Sequence, residues 1–574
     1  MNTSRNTIER DHNTVGNINL FNFDGAEYEQ VEESNNPGNE SLWNYVEDDE
    51  MAVENDDECD HSNGDHHHHK TASLASCSVH LLNTLAGTGM LGLPSAYSSS
   101  GFVVGTILLI FAAFFSALGL HLLVVSAATV QARNRNSSSS PSASFYSVAT
   151  AAMPEFAVGI DLAIAIKCFG VSIGYFITVG DCMTDAFRYI LRNIKPDSET
   201  IAQEIEEAVF SDRHFWIVCA FIMVLPISFF KSLDKLKFTS TLSLVLIYAM
   251  AICIVLYAEG VFDPCLKYYY AAIEGDDATR IVTSFIDRVA PNLDLESCQG
   301  STFMVTTFES TLANLSIFIF SFTCHQNIFA VVNELKRPTR RRVSAVVATA
   351  VGCALILYLT VAVEGYRTFG DSVKGNILLN YPQTGLVTMM RIGITIMVIF
   401  SYPLQLDPSR RCLTSLIHYV IDKREKERQR QEHERLTNSN RASDSSGDQD
   451  ELGNDLLDQP GDQTISSNNQ ATEIVSLPEE TDDLLDKFIF NGITILFLIF
   501  SFMIAESVKD LGTILGLVGA TGSTMVSYIL PASIYIKLHG GSHFLGKLAR
   551  VQLFLGITIM PTALYFVIFR GSGE

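Results

Sequence analysis

The chain has 574 residues, 47% hydrophobic and 18% charged, with a mean hydropathy of +0.22, a balance that excludes an ordinary set of water-soluble domains. The formal net charge of −24 does not describe its hydrophobic part. Met1 to Lys70 holds 18 acidic against 3 basic side chains and Ile421 to Asp486 holds 18 against 7, which leaves the remainder close to neutral.

Residues 1–70 are rich in Asn, Asp and Glu, lack the apolar content to fold, and read as a disordered acidic N-terminal tail. Its run His66 to His69, with His61 nearby, reads as low complexity rather than a metal site. The first apolar run begins only near Leu74, so no secretory signal peptide is expected.

Apolar runs of roughly 18 to 28 residues follow, the length that crosses a hydrocarbon core of ~30 Å. The first five expected spans are Leu74 to Tyr97, Gly101 to Val130, Phe156 to Phe187, Phe215 to Phe230 and Phe238 to Glu259. After a polar loop come Thr306 to Leu335, Val343 to Phe369, Leu386 to Leu406, Phe488 to Val508, Leu511 to Lys537 and Val551 to Phe569. The fold expected is an all-α membrane protein of about 11 transmembrane helices. It divides into the tail 1–70, spans one to eight in 71–409, a disordered acidic cytosolic loop 410–485, and spans nine to eleven in 486–574.

Short-loop basic residues stay on the cytosolic side during insertion. Arg133 and Arg135, Lys231, Lys235 and Lys237, Lys336 to Arg342, Arg410 and Arg411, and Lys547 and Arg550 fall on one alternating set of loops. That set places the N-terminus in the cytosol. Cys265 and Cys298 share the loop between spans five and six on the opposite side, where the compartment permits a disulfide, the alternative being two free thiols.

Span one contains Gly87-Thr88-Gly89-Met90-Leu91-Gly92-Leu93-Pro94, too much glycine for an ordinary lipid-facing helix, and its Pro94 can neither donate a backbone hydrogen bond nor fit easily in a helix interior. One reading is an unwound stretch near Gly87 to Gly89 that offers backbone groups to a ligand. The other is close helix packing through small residues. Span six holds the polar cluster Ser321-Phe322-Thr323-Cys324-His325-Gln326-Asn327 at mid-membrane depth. A broken helix opening each half of a five-plus-five arrangement is the pattern of transporters built from inverted repeats, with helix ends suited to charged groups.

Asp161 and Lys167 in span three, Glu364 in span seven and Arg391 in span eight are ionisable residues inside spans. One of them is a coupling or gating group on the functional reading, whereas Asp161 and Glu364 are expected to reach the interface from near helix ends. His325 suits a pH-sensitive gate or a hydrogen-bonded structural role. The sequence has no P-loop, no His-Glu-x-x-His helix and no nucleophile elbow, so no enzymatic reading is available.

Several motifs together resemble the amino acid/auxin permease family, which includes sodium-coupled neutral amino-acid transporters and fungal-type vacuolar transporters. They are Asn83 to Pro94, Phe322 to Asn327 with Asn333-Glu334-Leu335, Gly365-Tyr366-Arg367-Thr368-Phe369-Gly370, and Ser401-Tyr402-Pro403-Leu404-Gln405. The likeness covers nearly all the spans, and Cys324-His325-Gln326-Asn327 looks most like the vacuolar branch. It implies a LeuT-type 5+5 inverted repeat plus one extra C-terminal helix, and ion-coupled amino-acid transport by alternating access. Carried over by residue, it implies a substrate site at Gly87, Thr88, Gly89, Thr323 and Cys324. Asn83 and Ser401 match cation-site positions of sodium-coupled relatives, and His325 joins them as a coupling residue. The coupling ion, H+ or Na+, is the only cofactor implied. Asp407 departs from the pattern, placing a charge near the cytosolic end of span eight. The expected partners are an amino-acid substrate, the lipid bilayer and cytosolic regulators of the N-terminal tail, with no nucleic acid. The vacuolar or lysosomal membrane is expected, with the plasma membrane as the alternative. The rival reading is an amino-acid sensor that signals through residues 1–70.

Overall fold

The computed structural model describes residues 72–133, 143–194, 209–229, 237–262, 300–444 and 479–570. Among these, every regular element is helical, and the one extended contact is an isolated bridge between Ala72 and Leu335. Among the described residues nine helices are long and apolar enough to cross a membrane. Helical spans are what lipid demands, because a backbone with no water must satisfy its polar groups internally. The outer faces carry exposed Ile107, Ile222, Phe554 and Phe569, as contact with acyl chains requires.

Two expected spans are absent from the nine. The first is split into α1, Leu74–Leu85, and α2, Gly89–Ser100, each of 12 residues. The fourth is the 16-residue helix Arg213–Ser228. Between them run α3, Phe102–Arg133, the short α4, Phe145–Ala152, and α5, Ala157–Ile194. Arg213–Ser228 is α6, and α7 is Lys237–Ala258.

The expected sixth span is also broken, into α8, Phe308–Ser321, and α9, Ile328–Glu334, joined through the 3-10 turn His325–Asn327. Then come α10, Arg340–Phe369, and α11, Gly385–Asp444, which packs more extensively against α5 than against any other element. The chain continues with α12, Glu479–Ser507, and α13, Leu511–Val518. Two π-helical segments, Gly519–Ser523 and Met525–Ile529, lead into α14, Leu530–His539, and α15 is Phe544–Arg570.

The two broken spans run antiparallel with their breaks level. The chain is held beside the end of α9 before α1 begins, since the Ala72 N–H donates to the Glu334 carbonyl at 3.1 Å and Lys336 N–H donates back at 3.0 Å. Further along, Asn327 Nδ2 donates to Thr84 Oγ1 at 3.0 Å and Ser321 Oγ lies 3.3 Å from the Gly89 carbonyl. At the far end Ser310 Oγ donates to the Ser99 carbonyl at 2.8 Å.

Three expectations need correction. Pro94 does not interrupt the helix; it sits inside α2, where a Cβ on Gly365 of α10 would come within 2.8 Å of its ring, so the missing side chain makes its room. Asp161 does not reach the interface: it is 2% exposed and lies beside Cys412 of the eighth span. The helix that carries span eight continues past Leu406 to Asp444, into the stretch 410–485 expected to be a disordered loop. Its exposed Lys, Arg, Glu and Gln residues form helices well, and Arg430 pairs with Glu434 one turn on. Glu364 does reach out, pairing with Arg367 at 3.1 Å. Cys265, Cys298 and the tail 1–70 lie outside the described residues.

Candidate functional site

The first break occupies Ala86, Gly87 and Thr88. Gly87 N–H turns back to the Leu85 carbonyl at 2.7 Å, and the helix restarts at Gly89. Thr88 caps α2 without a side-chain hydrogen bond, and among the described residues its Oγ1 has no partner although the residue is 1% exposed. Within this turn Met90 N–H reaches Gly87 O at 3.4 Å and Leu91 N–H reaches Thr88 O at 3.1 Å. Among the described residues the N–H groups of Thr88 and Gly89 have no such backbone partner, so they start a helix with donors to spare, the arrangement that suits an anion.

The second break runs from Phe322 to Cys324. Thr323 N–H donates to the Phe320 carbonyl at 3.0 Å, and Asn327 N–H to the Cys324 carbonyl at 3.0 Å. Ser116 of α3 donates to the Phe322 carbonyl at 2.7 Å. Thr323 Oγ1 donates to the Ile319 carbonyl at 2.8 Å and accepts from Ser527 Oγ at 3.0 Å. Cys324 and His325 are wholly buried.

A single side chain ties the breaks together. The hydroxyl of Tyr358, from α10, lies 2.6 Å from the Leu85 carbonyl and 2.9 Å from the Ser321 carbonyl, capping the last turn of both interrupted helices. Span three closes the other side. The Tyr175 hydroxyl stands 3.6 Å from where a Gly87 Cβ would be, and Thr88 Oγ1 stands 3.7 Å from the same point on Gly174. Tyr175 lies beside Gln405 of α11, whose amide oxygen accepts from Lys167 Nζ at 3.4 Å. With Thr88, Lys167, Thr323, Cys324 and Tyr358 all at 3% exposure or less, this polar centre is closed to water.

The break that carries Gly87, Thr88 and Gly89 therefore lies beside the one that carries Thr323 and Cys324. The two readings of the glycines divide between them. A Cβ on Gly89 would lie 3.1 Å from the Phe320 ring and the Ser321 backbone, so Gly89 serves close packing. Gly87 is the open one. Asn83 is buried in α1 one turn before the break. Ser401 is buried in α11, and no hydrogen bond among the described residues ties it to span one. His325 turns toward span two, with Nε2 lying 2.7 Å from where a Cβ on Gly119 would be.

Sequence reasoning missed Tyr175 and Tyr358, which sit in spans of ordinary composition. It also missed the π segments, although Gly512, Gly516, Gly519 and Gly522 at three- and four-residue spacing were a signal of close approach. Beyond the centre, α5 carries a second set of charges. Arg391, 1% exposed, meets Asp185 at 3.2 Å and the carbonyls of Leu378 and Tyr381. Arg213 meets Asp181 at 2.8 Å, and His214 pairs with Glu506.

The family described as transmembrane amino acid transporter protein matches residues 70–569. Vacuolar amino acid transporter 5 of Schizosaccharomyces pombe is 29% identical over 465 residues, covering 81% of this chain and 84% of that protein. Vacuolar amino acid transporter 7 of Saccharomyces cerevisiae is 28% identical over 541 residues, 88% of this chain and 99% of that one. Among solved structures, a substrate-bound, outward-open Na+-coupled sialic acid symporter shares 12% identity across 88% of this chain and 90% of its own, with a TM-score of 0.41, too distant a likeness to transfer any residue's role.

Proposed function

Because this chain belongs to the transmembrane amino acid transporter family, we propose that it is a secondary active transporter that carries amino acids by alternating access. The supporting observation is the pair of level, antiparallel helix breaks with spare donors at Thr88 and Gly89, closed over by Tyr358. An α-carboxylate would accept from the Thr88 and Gly89 N–H groups and the Thr88 hydroxyl, at the positive end of α2. The α-ammonium would turn toward the backbone of Thr323 and Cys324. Both groups are common to every amino acid, so selectivity belongs to the side-chain pocket.

The same arrangement supports a LeuT-type core of two inverted five-span repeats with an eleventh helix outside it, α1 to α7 carrying one repeat and α8 to α14 the other. Coupling draws on a proton or sodium gradient, with Asn83, Ser401 and His325 as the residues assigned to it. The names of the fungal relatives favour the vacuolar membrane, and the basic loops favour a cytosolic N-terminus.

The experiment is uptake of a panel of radiolabelled amino acids by liposomes holding the purified protein, under imposed proton and sodium gradients. Accumulation of at least one amino acid against its gradient is expected. Absence of flux under both gradients, from protein that elutes as a folded species, rejects the reading. A sensor is the second reading, favoured by the hydrogen bonds that fasten Ala72 to the end of α9, since they would pass motion of the broken span to the tail.

A further inference from the structure

Among the described residues three buried side chains are ordinarily cationic: Lys167, Arg391 and Arg410. Arg391 faces Asp185 at 3.2 Å, and Arg410 faces Asp407 at 3.1 Å. Lys167, 2% exposed, has no carboxylate of the described residues within ion-pair distance; among them its Nζ meets the amide oxygen of Gln405, at a long 3.4 Å. An ammonium removed from water without a counter-charge costs several kcal/mol. A charged Lys167 therefore lacks an anion in this closed arrangement.

Its position says where the anion comes from. Gln405 also neighbours the Tyr175 hydroxyl, which lies beside Gly87. Cys324 and His325, at the second break, are its electrostatic neighbours, together with Cys168 on its own helix. The π segment of the tenth span presses on it: a Cβ on Gly522 would come 2.7 Å from Lys167 Cβ and 2.8 Å from its Cα. On the packed α11 Asp407 is already engaged by Arg410 and Arg411, and Asp161, on the same helix as Lys167, makes no ion pair with it among the described residues.

Resting on the transport reading above, we propose that Lys167 couples proton and cargo: a proton taken up on its Nζ completes an ammonium whose counter-ion is the carboxylate of the bound amino acid. The chemistry balances simply. The lone pair of the neutral amine takes one proton to form an N–H bond, and the same proton leaves when the carboxylate departs. Carboxylate binding stabilises the ammonium and does little for the amine. By linkage, proton and amino acid then each strengthen the other's binding by the same factor. The ammonium formed with the cargo also repels an alkali cation, so coupling is assigned to protons.

The test uses the full chain in lipid nanodiscs in weakly buffered solution with a pH-indicator dye, titrated separately with L-alanine, L-glutamine, L-glutamate and L-lysine between pH 5 and 9. Wild-type protein should take up as much as about one proton per amino acid bound at some pH in that range, without sodium. Lys167→Arg keeps a charge that does not titrate, so it should bind with no proton uptake and a flat pH profile. Lys167→Met should lose the uptake and bind at least about tenfold more weakly, as loss of an ion pair worth ~1.4 kcal/mol requires. Uptake that persists undiminished in a variant that folds and binds, or wild-type binding without uptake at any pH, overturns the proposal alone. Failure of wild-type protein to bind any of the four overturns the transport reading and this inference with it.

Discussion

Tyr358 directs its hydroxyl at the Leu85 carbonyl, 2.6 Å away, where the first helix stops, and the same oxygen lies 2.9 Å from the Ser321 carbonyl, where its antiparallel partner stops. One hydroxyl hydrogen serves two helix ends, so the pair is stapled at the point where each would have to move to admit a ligand.

Tyr358→Phe removes that staple and keeps the ring. Leaving two buried carbonyls short of a donor costs about 1–3 kcal/mol, so the thermal midpoint in detergent should fall. Flux should fall by roughly tenfold or more, equivalent to at least ~1.4 kcal/mol on the transport barrier. Unchanged flux in Tyr358→Phe would remove the hydroxyl from the gating account.

The two glycines of the first break should respond differently. Gly87→Ala places its methyl 3.6 Å from Tyr175, an ordinary contact, whereas Gly89→Ala meets Phe320 and the Ser321 backbone at 3.1 Å. Gly89→Leu, larger still, should cost about 1–3 kcal/mol or more through overpacking, reducing folded yield as well as flux. Comparing yield and uptake across the three variants checks this; equal tolerance at both positions would contradict the division of roles.

Thr88→Val deletes a buried hydroxyl that has no partner in the closed protein. Stability should hold or rise, because a buried unsatisfied group costs about 1–3 kcal/mol. Transport KM should rise roughly tenfold if the hydroxyl binds the carboxylate, while Thr88→Ser should stay near wild type. A rise in stability with no change in KM would leave the orphaned hydroxyl outside the substrate site.

Deleting residues 1–70 leaves the hydrogen bonds of Ala72 to Glu334 and Lys336 in place. A transporter should retain most of its flux in liposomes. Retained amino-acid binding with lost partner capture and no flux in either form would favour the sensor.

The breaks were legible because glycine at 87 and 89, and a run of polar residues from Ser321 to Asn327, are costly in lipid unless the backbone there has work to do. Other features depend on contacts between distant segments. Pro94 reads as a helix breaker until Gly365, far along the chain, is seen to leave space for its ring. Asp161 reads as an interfacial carboxylate until Cys412 is placed against it. Tyr175 and Tyr358 belong to spans with no unusual pattern, and their importance comes from where their hydroxyls end. Lys167 was visible as a charge inside a span, but its lack of a counter-ion is a property of the packed protein alone.

The most direct measurement is a structure of the full chain bound to a transported amino acid. The account predicts the α-carboxylate within hydrogen-bond distance of the Thr88 and Gly89 N–H groups, between the two breaks. An amino acid bound elsewhere, with Leu85, Gly89 and Ser321 packed as they are in the closed form, would contradict it.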